Sequence, residues 1–500
     1  MVRRVRGRVR VRIRKAVRRP GEAYPTRFIV DVHFRTTTPI SQRTVAVADA
    51  FGLGIDEEKE FTIYNSLELQ IKPTDIVYIT GDSGSGKSLL LRELYKQLRP
   101  WAAFIGPGWR PDIRLDKPII ETVGETVEEA LELLSRVGLG DAWLFLRSYS
   151  QLSDGQKYRY AIAKLIESGK QYWLLDEFCS TLDRDTAKVV AYNIQKLARK
   201  LGKCLIAATC HTDLFEDLNP SVYVRKGFGA EVKVQYFPNR PAGECSLMRE
   251  IRIEEGTTED YRKLAVFHYR SHHPGAVRRV FVARRGCEPA GVIVYGYPSL
   301  THTGRKHAFK ERIPVAELNA CMSTIRRVVV HPKYRSIGLG TRLVRETLPR
   351  VGTPYVELIA VMAKYNPFAE KAGMKLVCIK KPDRRLLKVV RELEALGFDP
   401  KLISSTRYNL AVINSLSSEK LEELKQILTK VRNPNIRKTF IQKPYVKNKE
   451  WKEKVEQATE LELAKIVQDI AISTQEKAYL LYRNPTAIYC SIDDKLKTVP

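Results

Sequence analysis

The sequence predicts an α/β protein of several domains, and three observations predict it. Between residues 46 and 237, short apolar runs alternate with helical periodicity, as in a parallel sheet covered by helices. A glycine-rich octapeptide, GDSGSGKS at 81–88, stands between one such run and one such helix. A second alternation, over 248–380, repeats the strand, glycine turn and helix. Five hundred residues allow about two to four domains with ample core.

Composition narrows the class. The apolar fraction of 44% suits a globular chain. No stretch approaches the roughly 18 uninterrupted apolar residues of a membrane helix, and the basic N-terminus lacks the apolar segment of a secretory signal. The 8 cysteines are scattered without a Cys-x-x-Cys pair, which argues against a disulfide framework or zinc site and for reduced thiols in the cytoplasm. A net charge of +28 favours a polyanion partner, nucleic acid first and an anionic membrane surface second. A thermophile surface is the plain alternative, but such surfaces mix Lys with Glu, and here the balance is lopsided.

Residues 1–45 read as a basic arm. Of the first 20 residues, 10 are Lys or Arg and none is acidic. From Arg4 to Arg14 every even position is Arg, with Val5, Gly7, Val9, Val11 and Ile13 between. Period two predicts a strand with one cationic face, its charges ~6.6 Å apart and able to follow a phosphate backbone. A solvent-facing edge strand protected by charge is the equal alternative.

Within 46–237, residues 76–80 predict a buried strand, Lys87–Leu98 a helix, Tyr172–Leu175 a second strand and 204–209 a third. Residues 238–243, rich in Pro and Gly, are a linker candidate. Residues 246–382 predict a second α/β domain. Residues 383–500 predict a helical, charged region with helices at 384–396, 417–431 and 450–470.

The octapeptide carries the first chemistry. Gly81, Gly84 and Gly86, with Ser83 between them, let backbone N–H groups wrap a phosphate at a helix N-terminus. Lys87 would reach the β- and γ-phosphates of a nucleotide, and the Ser88 hydroxyl would hold Mg²⁺. Asp176 ends an apolar strand, where it would hold Mg²⁺ through water, and Glu177 would be the general base for the attacking water. Taken alone, an Asp-Glu pair at a strand end reads first as a helix cap.

The pentapeptide LSDGQ at 152–156 lies between the octapeptide and the carboxylates. Together they resemble the P-loop domain of ABC-type ATPases. STLD at 180–183 resembles that family's D-loop, and Cys210-His211 its switch histidine. The resemblance implies that Ser153, Gly155 and Asp183 face the nucleotide of a second subunit, and that His211 senses the γ-phosphate. One loop and one pentapeptide per chain then imply a head-to-tail homodimer on ATP and Mg²⁺. The family usually carries a Q-loop glutamine before the pentapeptide. None occurs over 100–150, and Glu121 is the nearest acidic stand-in, so no transmembrane partner is expected. Phe51, Phe61 and Tyr64 are all open as the adenine-stacking aromatic.

The segment VVVHPKYRSIGLGTRL at 328–343 resembles the GNAT acetyltransferases, a strand followed by Arg-x-x-Gly-x-Gly opening a helix. The resemblance implies that Arg335, Gly338 and Gly340 hold the pyrophosphate of acetyl-CoA. NPFAEKAGM at 366–374 resembles the GNAT helix that packs on the cofactor, with Asn366 toward it and Met374 in place of the usual Phe. The tyrosine that protonates the departing thiolate falls on Ala369; Tyr365, one turn earlier, is the substitute, and Glu357 is the candidate base. His302 and Cys321 lie in an insertion, 299–325, on the expected substrate side.

The order ABC-type ATPase then GNAT domain is similar to a mainly archaeal family of such fusions, over residues 45–380. The fusion and the charge together imply an acetyltransferase acting on RNA, tRNA first, with ATP remodelling the polyanion. A repair or translation ATPase whose GNAT unit acetylates a protein or senses acyl-CoA is the alternative. A transporter motor stands third.

Overall fold

The computed structural model describes residues 9–11, 23–36, 38–55, 59–268, 273–300, 304–360, 367–443 and 445–497. The described residues form two compact units. One takes residues from 1–273, 280–293 and 328–343; the other takes them from 274–279, 294–327 and 344–500. Of the basic arm, β1 (Val9–Val11) is described, paired antiparallel with β2 (Arg27–Thr36). The arm's other alternating arginines lie outside the described residues. β2 pairs in turn with β3 (Lys59–Gln70), completing a three-stranded sheet.

The first unit is organised by a six-stranded sheet. Its strands are β4 (Ile76–Gly81), β5 (Ala102–Ile105), β6 (Tyr172–Leu175), β7 (Cys204–Ala208), β8 (Val222–Lys226) and β9 (Val232–Tyr236). Their spatial order is β5–β6–β7–β4–β8–β9, parallel except for β9. A parallel sheet is covered on both faces, and β6 shows the consequence. Tyr172 and Leu174 pack into one apolar cluster with Leu90, Leu91 and Leu94; Trp173 and Leu175 pack into another with Tyr160 and Ile162. Because all the parallel strands run the same way, the turns after β4, β6 and β7 gather at one edge of the sheet. That edge carries residues 81–88, 176–177 and 209–211.

Also in this unit, β10 (Ile251–Gly256) pairs antiparallel with residues 280–285 of β11 (Val277–Arg285). β12 (Glu288–Gly296) and β13 (Met322–Val330) follow, and the division between the units falls inside β11, β12 and β13.

In the second unit, β13 runs parallel to β14 (Tyr355–Ala360) through three pairs, Met322 with Tyr355, Ser323 with Val356 and Thr324 with Glu357. Past Thr324 the register stops, although both strands continue. β15 (Lys375–Lys380) does not pair with β14. Between them lies β16 (Lys477–Arg483), antiparallel to both. The expectation of a helical region to residue 500 is therefore corrected: a strand from it completes the sheet. Its helices fall between β15 and β16, around a core of Leu393, Leu428, Trp451, Leu463 and Ile466. The single helix expected over 450–470 is two, Asn448–Glu456 and Glu460–Ser473. The break is a capping box, in which the Thr459 hydroxyl accepts from the Glu462 N–H and Glu462 accepts from the Thr459 N–H at 3.0 Å. No described helix is long and apolar enough to cross a membrane.

Ending the chain before Lys477 removes the strand that β14 and β15 both pair with, leaving two unpaired edges. Such a truncation is expected to lose soluble expression or cooperative thermal unfolding. A truncated chain melting at the full-length temperature would contradict this topology.

Candidate functional site

The site is built where β4 turns into the helix Lys87–Leu98, whose Leu90, Leu91, Leu94 and Leu98 are buried. Gly81 has φ +149, and a Cβ there would lie 2.1 Å from the Lys226 carbonyl on β8. Gly84, at φ +78, has open space on its Cβ side, and Gly86, at φ +109, would strike Ile63. Each glycine thus allows a backbone path that no other residue takes without strain. Ser83 lies exposed at the crest of the loop. Below the loop, the buried Tyr64 hydroxyl donates to the Gly86 carbonyl at 3.0 Å, and the Lys226 ammonium sits 5.1 Å over the Tyr64 ring. Tyr64 is therefore a support of the loop and not an open stacking platform, whereas Phe51 and Phe61 are exposed.

The Lys87 ammonium donates to the Gly81 and Asp82 carbonyls at 2.7 Å each, and burial holds its pKa below the ordinary value. The Ser88 hydroxyl donates to Asp176 Oδ1 at 2.8 Å, joining the ends of β4 and β6. Asp176 is buried, and its Oδ2 has no protein partner; nor does the buried Ser85 hydroxyl. Buried polar atoms of this kind are rare unless something outside the chain satisfies them. Together with the open face of Gly84, they fit a magnesium–triphosphate. Ser88 and Asp176 would hold the metal, while Lys87 and the loop N–H groups would hold the phosphates. Among the described residues no group of three His, Cys, Asp or Glu side chains is placed to hold a metal, so this fit rests on a ligand that brings its own oxygens.

Glu177 is exposed and has φ +52, and Cys179 has φ +58. Two non-glycine residues in the left-handed region store strain at the turn that presents the carboxylate. The turn is held by the Glu177 N–H on Asp176 Oδ1, the Phe178 N–H on the Ala208 carbonyl and the Cys179 N–H on the Tyr158 hydroxyl. His211 follows β7. Its carbonyl accepts from Tyr78 at 2.5 Å, and burial, then the Arg184 guanidinium, keep its imidazole below the ordinary pKa. It is neutral at neutral pH. Arg184 in turn pairs bidentately with Asp213.

Ser153 caps the helix Asp154–Glu167: its hydroxyl accepts from the Gln156 N–H at 3.4 Å, and Gln156 Oε1 accepts from the Ser153 N–H at 3.0 Å. A Cβ on Gly155 would meet the Leu182 side chain at 3.1 Å, so this glycine lets the helix start close against residues 181–182. Asp183 caps the next helix, accepting from the Thr186 N–H at 3.1 Å and its hydroxyl at 2.7 Å. Glu121, the nearest acidic stand-in for the missing Q-loop glutamine, is exposed at the end of the short turn Ile119–Glu121. Beside Asp176 lies Gly106, since the Asp176 N–H donates to the Ile105 carbonyl and a Cβ on Gly106 would lie 3.3 Å from that of Asp176.

The second set of expected residues fares differently. Gly338 has φ +95 with open space on its Cβ side, and Gly340 opens the helix Leu339–Thr347 against Val330. Arg335 does not point into open space: it donates to the carbonyls of Gly140, Val330 and Phe267 at 2.8, 3.1 and 3.3 Å. Tyr365, Asn366 and His302 lie outside the described residues. Ala369 is buried. Glu357, expected as a base, is corrected. Fully buried, it takes Arg305 bidentately at 2.9 and 2.6 Å, the Thr324 hydroxyl at 2.7 Å and the Tyr479 hydroxyl at 3.2 Å. A carboxylate so paired has no lone pair left for a substrate proton. It anchors the second unit, since removing one partner of a buried pair costs about 3–5 kcal/mol.

The two glycines of the loop separate by test. Gly81→Ala forces a Cβ into the β8 backbone and is expected to abolish folding or lower the melting temperature sharply. Gly84→Ala meets open space and carries only the left-handed penalty of about 1–2 kcal/mol. Equal melting temperatures for the two variants would contradict this geometry.

No protein-family model matches the chain. The ABC-type transporter frbG of a Dothideomycetidae species is 28% identical over 198 residues, 35% of this chain and 13% of that protein. The methionine import ATP-binding protein MetN of Streptomyces coelicolor is 27% identical over 201 residues, 32% of this chain and 56% of that protein. This chain thus spans about an eighth of the first and just over half of the second. The zinc import ATP-binding protein ZnuC of a Jannaschia species is 30% identical over 165 residues, 30% of this chain and 67% of that protein. With two thirds of that relative covered at this identity, and a phosphate loop joined through Ser88 to the carboxylate of β6, the chain belongs to the ABC-type ATPases.

Proposed function

We propose that the chain hydrolyses ATP as a head-to-tail homodimer and couples that cycle to an acyl-CoA-binding, GNAT-type sheet that acts on nucleic acid. The observation that carries the first part is the Ser88–Asp176 bond, with an unsatisfied carboxylate oxygen beside an open glycine loop. On this reading Lys87 and the loop N–H groups hold the phosphates. Ser88 and Asp176 hold Mg²⁺, which when bound neutralises charge on the transferring phosphoryl group. Glu177 takes a proton from the attacking water, and the neutral His211 is the partner of the γ-phosphate. Ser153 and Gly155 start a helix whose N–H groups suit an anion. One loop and one pentapeptide per chain make the complete site a property of two chains.

The acetyl-CoA part is supported by the early end of the β13–β14 pairing, by β16 lying between β14 and β15, and by the glycine turn at 338–340. A second reading, in which this sheet senses acyl-CoA and transfers nothing, is favoured by the ion-pair network around Glu357 and by the engagement of Arg335. The net charge of +28 supports RNA, tRNA first, as the partner. The relatives' printed roles in import and transport support a membrane partner instead; the lack of a Q-loop glutamine over 100–150 weighs against it. All 8 cysteines are free, which supports a cytoplasmic setting.

Light scattering of Glu177→Gln with ATP tests the first part, and calorimetric titration of wild type with acetyl-CoA the second. A doubled mass and one acetyl-CoA per chain are expected. A monomer at saturating ATP contradicts the homodimer, and absent heat contradicts the acyl-CoA site.

A further inference from the structure

Within the first unit, the residues that flank the pentapeptide are not held by the ATPase half of the sequence alone. The Arg159 guanidinium links the Gly155 carbonyl, at 3.2 Å, to the Gly138 carbonyl, at 2.7 Å. The turn that begins at Gly138, itself at φ +83, continues to Gly140 and Asp141. Its next contact comes from 195 residues further along: Arg335 donates to the Gly140 carbonyl at 2.8 Å and approaches Asp141 at 3.5 Å. The neighbouring Ser336 hydroxyl donates to the Ser135 carbonyl at 2.7 Å, at the end of the helix Val127–Arg136. Two residues before Arg335, Lys333 lies 3.6 Å from Asp183 and 4.0 Å from Asp185, and Arg285 pairs with Asp185 at 2.6 Å.

Three of the residues 333–336, Lys333, Arg335 and Ser336, therefore touch between them the turn behind the pentapeptide and the start of the helix that follows the D-loop. The Arg335 contacts are part-buried, whereas Ser336 is exposed and held by its backbone conformation. Only 20% of the Arg335 side chain is exposed, and it satisfies three carbonyls whose loss of a donor would be costly. Ser336 has φ +70, a left-handed conformation that a serine holds only where its surroundings impose it. Glycine would relieve that strain, yet glycine could not reach Ser135. The position trades backbone ease for a contact to the ATPase half.

We infer that residues 333–336 are a positioning clamp that fixes the pentapeptide relative to the D-loop, and that ATP turnover depends on it. The inference rests on the reading of the chain as an ATPase homodimer. Arg335, Ser336 and Lys333 touch neither the phosphate loop nor its carboxylates, so they act through Gly140, Ser135 and Asp183. Their loss should disturb the closing face and leave nucleotide binding at 81–88 alone. A displacement of about 1 Å at a catalytic group lowers rates by up to about 100-fold.

Steady-state ATP hydrolysis by the full chain tests this, with thermal unfolding alongside. Ser336→Gly removes the hydroxyl and relieves the left-handed strain, so its melting temperature should equal or exceed that of wild type. Its kcat should fall at least about threefold, with KM for ATP within about twofold. Arg335→Ala should lower kcat further, about tenfold, and Arg335→Lys, which keeps one donor for Gly140, should recover part of it. A folded Ser336→Gly and a folded Arg335→Lys that both turn over at the wild-type kcat overturn the clamp while leaving the ATPase reading intact. A wild-type chain without ATP turnover overturns the ATPase reading itself, and the clamp with it.

Discussion

The hydrogen bond from Ser88 to Asp176 is the contact on which the candidate site depends, because it can form only if the whole parallel sheet is in place. Ser88 opens the helix after β4, and Asp176 follows β6, with β7 between those two strands. The two residues are 88 positions apart in the chain and 2.8 Å apart in the fold. A parallel sheet puts the carboxyl ends of all its strands at one edge, so burying Trp173, Leu174 and Leu175 on both faces also delivers Asp176 to the phosphate loop. The same edge brings up the strained turn at Glu177 and the His211 segment. The apolar core and the chemistry are one construction.

The second unit meets the opposite demand. Its sheet carries a fully buried carboxylate, Glu357, and the cost of burying that charge is met by Arg305, Thr324 and Tyr479, which between them fill its lone pairs. Tyr479 belongs to β16, the strand that arrives after the helices. The network therefore ties the end of the chain to β14, and a residue that looked reactive in isolation is a fastening. Burial raises the Tyr479 phenol far above its ordinary pKa, with the Glu357 charge adding to the effect, so this hydroxyl stays a donor at any physiological pH.

What was legible in the sequence was local. The loop at 81–88, the pentapeptide at 152–156 and the carboxylates at 176–177 each keep their chemistry within a few consecutive residues, and the strand-to-helix alternation ordered them. The capping box of Ser153 with Gln156 appears only in the structure. Thr459 with Glu462 is the same motif, and it breaks the expected 450–470 helix although the apolar periodicity continues across it. What was not legible depends on partners far along the chain. Tyr64 becomes a loop support because β3 passes under Gly86. Gly106 lies beside Asp176 because β5 pairs with β6. Glu357 meets Arg305 and Tyr479, 52 and 122 residues away, and no spacing rule announces such a meeting.

A composite site makes a demand that no single chain can meet, and mixing two damaged chains puts it directly to measurement. Lys87→Ala removes the phosphate-loop cation, and Ser153→Arg blocks the pentapeptide; each alone should be inactive. Mixed in equal amounts, half the dimers are hybrids with one intact site out of two, so about a quarter of the wild-type rate should return. A mixture as inactive as its components, or a Ser153→Arg chain as active as wild type, would contradict a site shared between two chains.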